Sequence, residues 1–293
     1  MFETGLYGYP ELMKAGLGNM LVPWAKCAIW CRDNRFPMLA PGWAKLRIGP
    51  YLRREKDKRQ YQAFFRRTGQ ISGLRRLSIL ATGRKINERD WFSAPPAGRP
   101  GGGIVCFRMM DDPGILAGRH KDVADELLRM TKEEYIPRDV PAGSFIGIHV
   151  RLGDFIPASG EELKQSVHSR RIPLQWYAEA LFALRMAVNK DMEARIFSDG
   201  RDEELASLLG IPGISRYEGK TAITDMLALA RAAVIIASGS SFSSWAAYLG
   251  NVPTVWYPGQ RFLLCPGPDD GKRNIEWDRG MNIDKDFLKL INN

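Results

Sequence analysis

Three short apolar runs in the second half of the chain each end abruptly in a knot of polar residues. That arrangement leaves few folds open. Phe145-Ile146-Gly147-Ile148-His149-Val150 runs into Arg151, Gly153 and Asp154; Ala194-Arg195-Ile196-Phe197 runs into Ser198-Asp199-Gly200; Val234-Ile235-Ile236-Ala237 runs into Ser238 to Ser243. Runs this short, rich in β-branched and aromatic residues and closed by turn residues, read as buried strands. Helical patterns lie between them, at 173–189, 202–209 and 222–232. Another helix starts at Trp245, and Val252 to Trp256 reads as the last strand. Such alternation predicts a parallel sheet with helices on both faces. The polar ends then share one edge, and ligands of open α/β sheets bind at that edge.

The knots differ in chemistry. Arg151 offers a planar fork suited to a phosphate, and Gly153 lets the chain turn away after it. The serine cluster falls where a helix begins, so its hydroxyls and the free N–H groups face one way, toward an anion. A simple cap needs one serine, and this segment supplies four in six residues. In a plainer reading His149 closes the core, Arg151 pairs with Asp154, and nothing binds. Serine protease chemistry fits poorly, because Ser241 lacks the Gly-x-Ser-x-Gly context and no acid and histidine follow it in the required order. A dehydrogenase fits poorly for want of a complete glycine fingerprint. A nucleotide with its diphosphate between Arg151 and the serine-rich helix start fits better.

The first half is less explicit. Residues 1–13 read as an irregular lead-in. Gly16-Leu17-Gly18-Asn19 then opens a helix carrying Cys27 and Cys31 on one face. Residues 53–67 read as a basic amphipathic helix with Tyr61, Phe64 and Phe65 turned inward. Gly103 to Phe107 reads as a strand and residues 122–135 as a helix. Pro137 to Gly143 has the composition of a linker, so the expected domains are 1–140 and 141–293. Residues 157–172, with Glu161, Glu162 and His168, read as a polar loop.

Of the 293 residues, 42 are Lys or Arg and 33 Asp or Glu, giving a net charge of +9. Much of the excess falls between 47 and 89, including Arg53, Arg54, Lys58, Arg66, Arg67, Arg75 and Arg76. Such a face suits an anionic polymer or lipid as well as plain solvation. The four cysteines lack metal-ligand spacing, so a zinc site is not expected. No apolar run has the length of a membrane span, and the amino terminus lacks a secretory pattern. The expectation is a cytoplasmic protein, with peripheral contact at the inner face of an anionic membrane left open by the charge.

In order along the chain, Gly16-Leu17-Gly18-Asn19, His149-Val150-Arg151-Leu152-Gly153-Asp154, Ser198-Asp199 and Ser240-Ser241-Phe242-Ser243-Ser244-Trp245-Ala246-Ala247-Tyr248-Leu249 resemble the motifs of the family 11 fucosyltransferases. These are the α-1,2-fucosyltransferases, with α-1,6 and protein O-fucosyltransferases as distant relations. The resemblance spans residues 16 to about 249 and leaves 40–135 without a placed motif. It implies a GT-B architecture, two Rossmann-like domains facing a cleft. GDP-fucose would be the donor, held mainly by the second domain, with no cofactor required. It also implies donor contacts from Arg151, Ser240, Ser241 and Phe242, with Asp225 and Asp199 toward the nucleotide and Gly16, Gly18 and Asn19 as a further binding segment. His149, Arg151 and Asp154 are the expected catalytic set, with Asp154 favoured as base over Glu161 and His168. The partners implied are a nucleotide sugar and a glycan or lipid-linked glycan, not nucleic acid. One departure stands out: many relatives carry a second arginine where this chain has Leu152. The alternatives are a transferase for another nucleotide sugar and a non-catalytic nucleotide-sugar or glycan-binding module.

Overall fold

Parallel strands buried on both faces read as near-continuous apolar runs; Val234–Ala237 is one such run, and Ile146–Val150 is buried at every position and interrupted only by His149. The computed structural model describes residues 5–43, 61–166, 169–188, 191–265 and 270–291. The chain divides into two units, Met1–Tyr135 and Ile136–Asn293. The break comes a few residues before the expected boundary at 140.

The first unit contains β1 (Leu6–Pro10), α1 (Leu17–Asn34), α2 (Gly73–Thr82), β2 (Lys85–Asn87), α3 (Glu88–Ser93), β3 (Gly103–Phe107) and α4 (His120–Met130). Its parallel sheet has the order β1-β3-β2. Strand β1 corrects the reading of residues 1–13 as irregular. Leu-Tyr-Gly-Tyr-Pro lacks the usual strand composition, yet it pairs along its whole length with the fully apolar β3. Residues 44–60, with Arg47, Arg53, Arg54 and Lys58, lie outside the described residues. Of the basic helix expected over 53–67, only 61–67 is described, and there Tyr61–Phe64 is a short 3₁₀ turn. Helix α1 is buried along most of its length. The Lys26 ammonium is wholly enclosed and donates to Glu88 Oε1 at 2.7 Å, Arg108 O at 2.5 Å and Asp111 O at 3.1 Å. Cys27 and Cys31 share a face, their sulfurs 3.9 Å apart, and burial pushes the Cys27 thiol up. Helix α2 turns Ile79 and Leu80 onto a cluster of Tyr7, Leu39, Ile104 and Cys106. Leu74 and Leu77 point outward, 85% and 56% exposed.

The second unit runs β4 (Ile146–Val150), β5 (Ile156–Pro157), α5 (Gly160–Lys164), β6 (Arg170–Arg171), α6 (Leu174–Val188), β7 (Ala194–Ser198), α7 (Asp202–Leu209), β8 (Ile214–Arg216), α8 (Ala222–Leu229), β9 (Val234–Ala237), α9 (Ser241–Gly250), β10 (Thr254–Trp256), α10 (Asp270–Arg273), β11 (Asn274–Glu276) and α11 (Lys285–Ile291). Its six-stranded sheet has the order β11-β10-β9-β4-β7-β8, every pairing parallel. The reading of Val252–Trp256 as the last strand is corrected by β11, which adds an edge beyond β10. Residues 157–172 are more ordered in pattern than the expected loop. Ser159 and Glu162 form a reciprocal capping box on α5, and β5 pairs with β6. Strand β4 lies between β7 and β9, with Val150 opposite Ser198 and Ile148 opposite Ile236. The three polar knots therefore emerge side by side at the carboxyl edge.

Candidate functional site

The site is built on the end of β4. Arg151 Nη2 donates to Asp154 Oδ1 at 2.6 Å, and Nη1 lies 2.9 Å from Asp199 Oδ2. The other Asp199 oxygen accepts the Leu152 N–H at 2.9 Å. One carboxylate from β7 thus fixes both the guanidinium and the backbone of the turn that bears it. This geometry explains Gly153. Its backbone is not left-handed; a Cβ there would lie 2.1 Å from Asp199 Oδ2. The glycine is needed for close approach. The Arg151 guanidinium also sits over the Phe155 ring at 5.6 Å, a cation–π contact.

Arg171, which sequence reading passed over, locks the same turn. Its Nε donates to Leu152 O at 2.9 Å and to Phe155 O at 2.8 Å. The adjacent arginines on β6 were the only signal in the sequence, and a basic pair alone does not say that it clamps carbonyls.

His149 connects β4 to the serine turn. Its Nδ1 lies 2.6 Å from Ser243 Oγ, 2.8 Å from Ser238 Oγ and 3.5 Å from Ser240 Oγ. The Phe242 ring stacks on the imidazole at 4.7 Å, inclined by 23°. Burial, with a smaller contribution from the Arg151 charge, lowers the imidazole to about 3, so it is neutral at ordinary pH. Ser240 caps α9 by accepting the Ser243 N–H at 3.4 Å. Ser244 donates back to Ser240 O at 3.0 Å and also bonds Phe262 O. Ser241 is the first residue of the helix. Ser238 and Ser243 therefore hold the turn to His149, and Ser244 holds it to the 262 segment.

Asp225 lies in the first turn of α8, capped by Thr221, and accepts the Gly219 N–H at 2.8 Å. A Cβ on Gly219 would sit 2.2 Å from that carboxylate oxygen. The aspartate thereby shapes the loop between β8 and α8.

Of the expected site residues, His149, Arg151, Asp154, Asp199, Ser240, Ser241 and Phe242 gather at this edge. Asp225 stands one loop away. Gly16, Gly18 and Asn19 belong to the first unit, where Gly16 caps α1 and its carbonyl accepts the Met20 N–H at 3.2 Å. Among the base candidates, Asp154 is ion-paired with Arg151. Glu161 is exposed on α5, and His168 lies outside the described residues. Among the described residues no three His, Cys, Asp or Glu side chains cluster closely enough to hold a metal ion. No helix among them is long and apolar enough to cross a membrane.

The family model described as Glycosyl transferase family 11 matches residues 122–257, a segment containing every element of this edge. Among solved structures, a variant of Arabidopsis thaliana FUT1 in complex with GDP is 12% identical. Its match covers 87% of this chain and 71% of that one, with a TM-score of 0.51. The fucosyltransferase NodZ from Bradyrhizobium is 16% identical over 85% of this chain and 94% of its own, TM-score 0.48. POFUT1 in complex with GDP is 12% identical over 86% and 98%, TM-score 0.47. No curated protein sequence matches significantly. The likeness to the Arabidopsis structure is one of fold, and that fold is the α/β, GT-B type expected from the motifs.

Proposed function

We propose that the chain is a glycosyltransferase of family 11, whose model matches residues 122–257, and that it moves fucose from GDP-fucose to a glycan hydroxyl, forming an α-1,2 linkage with inversion. The observation that carries this reading is the pairing of two anion-binding devices on neighbouring strands. The Arg151 fork stands at the end of β4, and the serine-capped start of α9 follows β9. GDP in the Arabidopsis FUT1 structure, which shares the fold, supports a guanine nucleotide.

In the transfer, the acceptor oxygen forms a bond to the anomeric carbon from the face opposite the leaving group. The bond from that carbon to the diphosphate oxygen breaks, and GDP departs with the electron pair. Negative charge grows on the diphosphate. Two of the five guanidinium N–H donors of Arg151 are committed to carboxylates, and the others remain for phosphate oxygens. With the N–H groups of α9, Arg151 supplies fixed donors where charge develops. No metal is required in this scheme. His149, neutral and bonded to the serines, is a positioning residue that sets the α9 start against β4. Asp154 is the proposed base. It accepts the proton of the acceptor hydroxyl.

A titration of unfolding temperature with GDP, GDP-fucose, GDP-mannose and UDP-sugars, beside Arg151→Ala, tests the reading. A ligand specific for the folded state raises that temperature. A rise with GDP and GDP-fucose but not UDP, lost in Arg151→Ala, is expected. Absence of any rise at millimolar guanine nucleotide refutes the donor assignment.

For the acceptor side we propose peripheral contact with an anionic membrane from the cytoplasmic face. Leu74 and Leu77 on the outer face of α2, beside the exposed Arg75, support it, since exposed apolar side chains flanked by bases favour such a surface.

A further inference from the structure

The first unit holds a cavity of about 190 Å3 that the proposed donor chemistry does not use. Arg66, Arg67 and Arg76 line it with Gln62, Trp43 and Phe65. The two aromatic rings pack on one another at 4.5 Å. Each arginine is anchored by neutral acceptors. Arg66 Nε donates to Arg129 O at 2.7 Å, Arg67 Nη1 to Ser72 Oγ at 3.3 Å, and Arg76 Nε to Ala40 O at 2.7 Å and Nη2 to Tyr9 Oη at 3.4 Å. Among the described residues none of the three pairs with a carboxylate. Elsewhere in the same unit Arg32, Arg108, Arg119 and Arg129 all do. Ser72 Oγ accepts from Arg67 and does not cap α2, although it occupies the cap position.

Three cations around one small concavity repel one another unless an anion joins them. Their unused forks match a carboxylate, sulfate or phosphate in paired hydrogen bonds. At about 190 Å3 the cavity is on the scale of one sugar ring. An aromatic wall beside a few polar groups is the usual make-up of a small-ligand pocket. We infer that this pocket binds the anionic group of an acidic saccharide. Its role as an acceptor subsite rests on the transferase reading above; the binding itself does not.

The test is calorimetric titration of the full-length protein with three acidic probes: oligogalacturonate, a sulfated monosaccharide and a phosphorylated one. Neutral galacto-oligosaccharide of matched length is the comparison, and Arg67→Gln and Arg66→Gln are the variants. At least one acidic probe is expected to bind tenfold or more tightly than the neutral one, to be displaced by inorganic phosphate, and to weaken tenfold in Arg67→Gln at an unchanged unfolding temperature. Which acidic probe binds distinguishes the source of the charge. Equal binding of acidic and neutral sugars, no binding at millimolar concentration, or unaltered binding in both variants overturns the inference. GDP is titrated in parallel. Protein that binds the acidic sugar but not GDP keeps this inference and loses the donor assignment, and the reverse pattern does the opposite.

Discussion

Buried and neutral, His149 makes the second unit sensitive to mild acid by a calculable amount. In the unfolded chain the imidazole titrates near 6.5; in the folded chain it titrates at about 3. Its folded value is depressed, so its contribution is fully present above pH 6.5 and is lost as pH falls from there toward 3. Between pH 7.5 and pH 5 the unfolded state takes up a proton that the folded state refuses. The loss is about 2 kcal/mol, from 1.36 kcal/mol per unit over the interval below 6.5. The unfolded value sets this size, provided the folded one stays well below 5. Other groups also titrate in this range; burial pushes the Glu88 carboxyl up to about 7, which works in the opposite sense. The measurement is therefore a double difference: urea unfolding of the wild type and of His149→Gln, each at pH 7.5 and pH 5. Glutamine keeps a polar group for Ser238 and Ser243 and removes the titration. The wild type should lose about 2 kcal/mol more than the variant. Parallel losses within about 0.5 kcal/mol would mean that the imidazole is solvated or already charged in the fold, and the positioning role would fall with it.

Three further outcomes are expected. Gly153→Ala places a Cβ 2.1 Å from Asp199 Oδ2; it should cost about 1–3 kcal/mol in urea unfolding and, by shifting the carboxylate that orients Arg151, weaken GDP in a thermal-shift titration. Lys26→Met removes the donor shared by the buried Glu88 carboxyl and the Arg108 and Asp111 carbonyls and should destabilise the first unit by about 1–3 kcal/mol, seen in urea unfolding as a separate early transition with GDP binding retained. Leu74→Ser with Leu77→Ser should release the protein from anionic vesicles in a sedimentation assay without altering its unfolding temperature; unchanged sedimentation would remove the proposed membrane contact.

The second unit was legible because a parallel sheet covered on both faces forces continuous apolar strands, and each strand end then shows as an abrupt polar knot. The first unit concealed its sheet. Leu6 to Pro10 looks like a turn-rich lead and becomes a strand only beside β3, a tertiary effect. Helix α2 keeps two leucines in water and two apolar residues in the core, which blurs its pattern. At the site, residue types were legible and partnerships were not. Asp199 could be read as a nucleotide contact, yet its bonds to Arg151 and to the Leu152 N–H depend on the β4–β7 register. Arg171 showed only as one of two adjacent arginines, since clamping two carbonyls sixteen and nineteen residues away leaves no trace in spacing.

Leu152 stands where the family resemblance leads one to expect a second arginine, and it is 6% exposed within the core of the second unit. A Cβ on Gly200 would lie 2.4 Å from Leu152 Cδ1, so the two residues fit as a matched pair. Placing an arginine at position 152 would press a charge into that core, and enlarging Gly200 would displace the leucine. Neither change is tolerable before the other has been accommodated. The two positions therefore constrain each other, and directed evolution toward tighter diphosphate binding should find its gains at other positions around the edge before it places an arginine at 152.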